Sequence, residues 1–120
     1  MQLHMLKSKI HRATVTGASL HYEGSLTVAA DFLDKVGLLP FEKVLCSNLA
    51  NGARFETYVI PGEPLSGAIV LNGATAHLGQ IGDKITIMSY AIIEERESKS
   101  WRPRVIVLGE KNQIINERGI

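Results

Sequence analysis

The stretch His21-Tyr22-Glu23-Gly24-Ser25 holds residue types in an order that could do chemistry. A Gly-Ser pair most often makes a turn, and taken alone this one would be read that way. A second chemistry is open to it. A serine hydroxyl can attack the carbonyl of the residue before it when the peptide is held near the attack geometry. Glycine at that preceding position permits backbone conformations that other residues resist. Ser25 Oγ would then bond to the Gly24 carbonyl carbon, the peptide nitrogen would leave as an amine, and an ester would replace the amide. β-Elimination would cut the chain between Gly24 and Ser25 and leave dehydroalanine, which hydrolyses to a pyruvoyl cap.

Other reactive side chains are scattered. Tyr58 has a phenol that titrates near pH ~10 and so holds a proton at neutral pH. Thr57 precedes it, and on a regular strand the two would point to opposite faces. Arg54 offers a planar fork suited to a carboxylate, and Lys9 a second cation; each, read alone, is a solvated surface charge. Asn72-Gly73-Ala74-Thr75 reads as a turn running into a helical turn, in which Gly73 also permits close backbone approach. His4, His11, His21 and His77 lack zinc-ligand spacing and Cys46 is the only cysteine, so no metal is expected.

These residues must be held by short strands. Met5 to Val15 alternates polar and apolar residues. Lys43 to Leu49 and Arg54 to Ile60 flank Ala50-Asn51-Gly52, and Asn-Gly between apolar alternations predicts a hairpin. Gly67 to Leu71, Lys84 to Glu94 and Arg104 to Leu108 complete six strands. Helix is scarce: Val28 to Val36 has helical spacing through Phe32, Leu33 and Val36, with Gly37 as its stop. Ala74 to Leu78 makes at most one turn, and the tail after Gly109 is expected to fray. Six short strands with one or two short helices predict a mainly β fold, a small closed barrel that hides its edges.

The 120 residues suit one domain, small enough that an oligomer is plausible. Thirteen Lys and Arg against twelve Asp and Glu leave a formal charge of +1, which gives no footprint for nucleic acid. Before Asp31 the only acid is Glu23, against Lys7, Lys9, Arg12 and three histidines, a local attraction for a small anion if it is more than surface noise. The run from Pro64 to Gly82 contains Asn72, His77 and Gln80 and is too polar to span a membrane. One thiol excludes an internal disulfide, and no apolar segment resembling a secretion signal opens the chain, so a cytoplasmic location is expected.

Met5-Leu6-Lys7-Ser8-Lys9-Ile10-His11-Arg12-Ala13-Thr14-Val15-Thr16 followed by Leu20-His21-Tyr22-Glu23-Gly24-Ser25 resembles the N-terminal signature of the pyruvoyl-dependent aspartate 1-decarboxylases. Asn51-Gly52, Arg54-Phe55, Thr57-Tyr58, Asn72-Gly73-Ala74-Thr75-Ala76-His77, Ile81-Gly82-Asp83 and Trp101-Arg102-Pro103 extend the resemblance to about Val107. Several separated motifs in register are far more specific than any one of them. The resemblance implies a six-stranded double-psi β-barrel and a homotetramer of protomers self-cleaved into residues 1–24 and 25–120. It implies a covalent pyruvoyl group derived from Ser25, with no pyridoxal phosphate. The implied reaction turns L-aspartate into β-alanine and CO2 through a Schiff base, feeding pantothenate and coenzyme A biosynthesis.

By the same resemblance Tyr58 is the proton donor, and Thr57, Gly73, Ala74, Thr75, Arg54 and Lys9 bind substrate. Thr57 also serves processing, Asn72 orients an intermediate, and His11 and Tyr22 support the site from behind. Two positions depart from the pattern. Ser47 follows Cys46 where many members have Trp, and Thr75 stands where many have alanine. Rival readings are a non-catalytic β-barrel that binds a ligand or a protein, and a hydrolase using Cys46 or a serine with histidine, for which no nucleophile elbow is present.

Overall fold

The computed structural model describes residues 1–120. Nine strands form one sheet: β1 (Gln2–Thr14), β2 (Gly17–Ser19), β3 (Ser25–Ala29), β4 (Lys43–Asn48), β5 (Arg54–Gly62), β6 (Ile69–Asn72), β7 (Lys84–Glu94), β8 (Arg104–Leu108) and β9 (Ile114–Arg118). One α-helix, α1 (Ala30–Val36), and three short 3-10 turns complete the chain. The strands run in the order β2-β6-β3-β5-β4-β7-β1-β8-β9.

Period-2 alternation builds this sheet and points one face inward. Val44 and Cys46 on β4, Phe55 and Val59 on β5, and Ile85 and Ile87 on β7 are buried, while Lys43, Arg54 and Glu56 between them are exposed. Ile10, Leu26, Val28, Ile69, Leu71, Ile106 and Leu108 complete the interior. Each such side chain contributes roughly 1.5–3 kcal/mol by leaving water. The long β1 pairs with β7 antiparallel and with β8 parallel, and it shifts register between Ile10 and Ala13, where Arg12 has φ 61. α1 lays Phe32, Leu33 and Val36 on the core and stops at Gly37, whose φ of 75 lets its N–H close on the Leu33 carbonyl.

All six expected strands form, and the Asn51-Gly52 hairpin joins β4 to β5. Three strands went unread. β2 is three residues long. β3 takes in Val28 and Ala29, which the helical spacing had claimed, so α1 starts only at Ala30. The reason is the ladder: Val28 pairs with Ile69 and Pro61, and Ala29 N–H donates to the Ala68 carbonyl. The tail does not fray after Gly109, because β9 pairs with β8 and Glu117 meets Lys35 at 2.8 Å.

The consequence for function is the placement of β3. It lies between β5, parallel, and β6, antiparallel. Ser25 therefore faces Asn72 directly. The Leu26–Val59 pair sets Ser25 one step away in register beside Tyr58.

Candidate active site

Ser25 opens β3 and is 1% exposed although Gly24 before it is exposed. A buried hydroxyl needs partners, and this one has two. Ser25 Oγ donates to the Glu23 carbonyl at 3.2 Å and accepts from Asn72 Nδ2 at 3.0 Å. Asn72 Nδ2 also donates to Thr27 Oγ1 at 2.8 Å. Thr75 Oγ1 donates to the Asn72 carbonyl at 2.7 Å and lies 3.5 Å from the Ser25 carbonyl. Glu23, Ser25 and Thr27 on one side and Asn72 and Thr75 on the other, distant in sequence, thus form one hydrogen-bonded group around a serine.

The glycine constraint falls on Gly73 rather than on Gly24. Gly24 is not in the left-handed region, and a Cβ added there would meet nothing within 4 Å. The expected conformational reason for glycine at 24 therefore does not apply in the uncut chain. Gly73 has φ 65, and a Cβ there would stand 2.7 Å from Gly24 Cα, 2.8 Å from Gly24 N and 2.9 Å from the Tyr22 carbonyl oxygen. The Gly73 backbone presses against the Tyr22–Gly24 turn and leaves no room for a side chain.

Tyr58 is half-buried on β5, its ring 6.2 Å from that of Phe41 at 42°. β4 and β5 pair without a break from Lys43–Tyr58 to Ser47–Arg54, so no bulge intervenes between Thr57 and Tyr58. Thr57 accordingly lies on the face of Phe55 and Val59, and Tyr58 on the opposite one.

The cations form a second group. Arg54 Nη1 donates to Ser47 Oγ at 3.0 Å. Ser47 pairs with Thr86 on β7, and Thr86 Oγ1 lies 3.2 Å from His11 Nδ1 on β1. His11, Thr86, Ser47 and Arg54 therefore make a polar row across four strands, with Lys9 two residues from His11. Burial, then the charges of Lys9, Arg12 and Arg118, push the His11 imidazole below its ordinary 6.5. Burial is the larger cause; the three cations add a locally positive field around His11, which suits a carboxylate ligand. Arg54 stands four residues before Tyr58, about 13 Å along the strand at ~3.3 Å per residue. No hydrogen bond of Arg54 or His11 reaches the serine group. Within the chain the fold thus brings Gly24, Ser25, Asn72, Gly73 and Thr75 together, and elsewhere links His11 to Arg54 through Thr86 and Ser47, with Lys9 two residues from His11. Ala74 and Tyr22 are exposed at the edge of the first group.

Thr27 was not singled out from the sequence. The available signal was its position two residues beyond Ser25 on a strand, but β3 itself went unread. Cys46 is buried and its thiol is pushed up to about 12, which removes it as a nucleophile. No imidazole bonds Ser25, so neither hydrolase reading has its parts.

Comparison with known proteins decides the lineage. The sequence pattern of the aspartate decarboxylase family matches residues 1–115. This chain belongs to the aspartate decarboxylase family. Its mainly β architecture is the family's double-psi β-barrel class. An aspartate 1-decarboxylase of Carboxydothermus hydrogenoformans is 56% identical over 115 residues, covering 96% of this chain and 91% of that one. One from Thermoanaerobacter pseudethanolicus is 51% identical over 116 residues, 97% of this chain and 99% of that one. One from Listeria monocytogenes is 54% identical over 110 residues, 92% and 87% of the two chains. The buried serine and its Asn72 partner are the centre of the candidate site.

Proposed function

We propose that this protein cuts its own backbone after Gly24 and then converts L-aspartate to β-alanine and CO2, the β-alanine serving pantothenate synthesis. The observation that carries the reading is the Ser25 hydroxyl, buried directly after Gly24 and held between the Glu23 carbonyl and an Asn72 N–H, in a member of the aspartate decarboxylase family. Cleavage would leave residues 1–24 and 25–120, with a pyruvoyl group at the new end of the second. The surroundings of residue 25 fit that group: Ser25 is buried, and Gly73 keeps the space beside residue 24 free of a side chain. When present, the pyruvoyl supplies the electron sink that lets the α-carboxylate depart.

The chain's own residues do the rest. Arg54 and Lys9 bind the two carboxylates of aspartate, Arg54 through its fork. Gly73, Ala74 and Thr75 line the pocket with backbone groups and one hydroxyl, and Thr57 assists processing. Tyr58 holds a proton for the carbon from which CO2 departs. Asn72 orients the reacting end, with Tyr22 and His11 behind it. Arg54 and Lys9 stand apart from Ser25 in one protomer, so the complete pocket forms between copies, in a homotetramer. The face bearing Leu45, Met88, Tyr90 and Ile92 supports such an assembly: Tyr90 and Ile92 are 46% and 61% exposed beside a cleft of about 430 Å3. No helix is long and apolar enough to cross a membrane, and we place the enzyme in the cytoplasm.

A denaturing mass spectrum tests the reading. The expected result is two chains split after residue 24, the larger lighter than a serine-initiated chain by one ammonia. Ser25→Ala is expected to stay whole and inactive toward aspartate. A cleaved, active Ser25→Ala protein would end the proposal.

A further inference from the structure

Thr27 lies two residues beyond Ser25 on β3, so regular alternation puts both side chains on one face. Across the ladder Asn72 faces Ser25 directly, and Thr27 lies on the diagonal. The Asn72 amide nitrogen spends its two hydrogens on these two hydroxyls, 3.0 Å to Ser25 Oγ and 2.8 Å to Thr27 Oγ1. Thr27 is itself held from its other branch. A Cβ built on Gly62 would lie 2.8 Å from Thr27 Cγ2, so the γ-methyl occupies space that a glycine at 62 leaves open. A β-branched side chain pinned at both branches has little freedom left at χ1.

We infer that Thr27 is a positioning residue for backbone cleavage: its hydroxyl fixes the Asn72 amide so that an N–H stays on Ser25 Oγ. The inference rests on the maturation chemistry proposed above. The terminal torsion of an asparagine is broad, so one hydrogen bond to Ser25 leaves the amide plane free to swing. The second bond, to Thr27, stops the swing. In the acyl shift, Oγ bonds to the Gly24 carbonyl carbon, the Gly24–Ser25 C–N bond breaks, and the hydroxyl proton passes to the departing nitrogen. In the elimination, Ser25 loses its α-proton, the Cβ–Oγ bond breaks, and the electron pair leaves on Oγ as part of the Gly24 carboxylate. One oxygen is nucleophile, then ester oxygen, then leaving group. A donor fixed on it helps most at the last stage, where that oxygen gains negative charge.

The test follows cleavage of freshly made chains over time by denaturing mass spectrometry, in wild type, Thr27→Val and Thr27→Ser. Thr27→Val keeps the shape and removes the hydroxyl; its cleavage is expected to slow roughly tenfold, the worth of one hydrogen bond. Thr27→Ser restores the hydroxyl and is expected to cleave near the wild-type rate. Thr27→Val cleaving as fast as wild type would overturn the inference. So would Thr27→Ser as slow as Thr27→Val, since the methyl packing would then be responsible. Should Thr27→Val not fold, Thr27→Ala against Thr27→Ser isolates the same hydroxyl, and equal rates in that pair would overturn the inference equally. A wild-type chain that stays whole sinks the maturation proposal itself, which is a distinguishable result.

Discussion

Gly73→Ala is the change from which the geometry predicts the largest loss for the smallest alteration. The added Cβ would meet Gly24 Cα at 2.7 Å, Gly24 N at 2.8 Å and the Tyr22 carbonyl oxygen at 2.9 Å. All three are backbone atoms, so no flexible side chain can swing aside. Residue 73 also has φ 65, and a residue with a Cβ loses roughly 1–2 kcal/mol in the left-handed region. Overpacking against a fixed neighbour adds about 1–3 kcal/mol. The sum, roughly 2–5 kcal/mol, is a large part of the 5–15 kcal/mol that holds a typical domain together. Near this chain length it lowers the melting temperature by roughly 8–20 °C, at about 4 °C per kcal/mol. Thermal unfolding is best measured with Ser25→Ala in both parent and variant, so that cleavage does not differ between them. Gly24→Ala in the same background is the control, since a Cβ there touches nothing; its expected cost is under about 0.5 kcal/mol, as for open surface positions. With Ser25 intact, Gly73→Ala is also expected to cleave slowly, because relief of the clash moves the Tyr22–Gly24 turn away from its place. A Gly73→Ala protein that melts with its parent, or a Gly24→Ala protein that loses as much, would refute the assignment of the steric constraint to residue 73.

Two further outcomes follow from the electrostatics. Cys46, with its thiol pushed up to about 12 by burial, is expected to resist iodoacetamide at pH ~8 in the native protein and to react fully in urea; equal labelling in both would contradict its burial. The His11 imidazole sits below 6.5 in the folded chain, so the unfolded chain takes up that proton first on acidification. Its contribution to stability is therefore complete above pH ~6.5 and declines as pH falls through and below that value. His11→Gln should flatten the fall in melting temperature between pH 7 and 5, and an unchanged slope would show that His11 carries none of it.

The motif around Ser25, the hairpin at Asn51-Gly52, the helix stop at Gly37 and six of the nine strands could all be read in the sequence. Each depends on neighbours a few residues apart: alternation, a turn dipeptide, a cap. That Tyr58 and Thr57 face opposite ways also followed from strand period alone. What the sequence left open depended on partners far along the chain. The segment from Ser25 to Ala29 is too short and too apolar for its period to separate strand from helix. Only pairing with Val59–Gly62 and Ile69–Asn72 makes it β3. With β3 unread, Thr27 was invisible as a partner of Asn72. The weight borne by Gly73 likewise needed the Tyr22–Gly24 turn to be folded against it. The tail became a strand because β8 offered an edge. The division of the candidate residues into a serine group and a cationic row is also a tertiary fact. A sheet spaces its strands about 4.8 Å apart and its residues about 3.3 Å along each strand, so proximity in the site is set by register, which no single segment encodes.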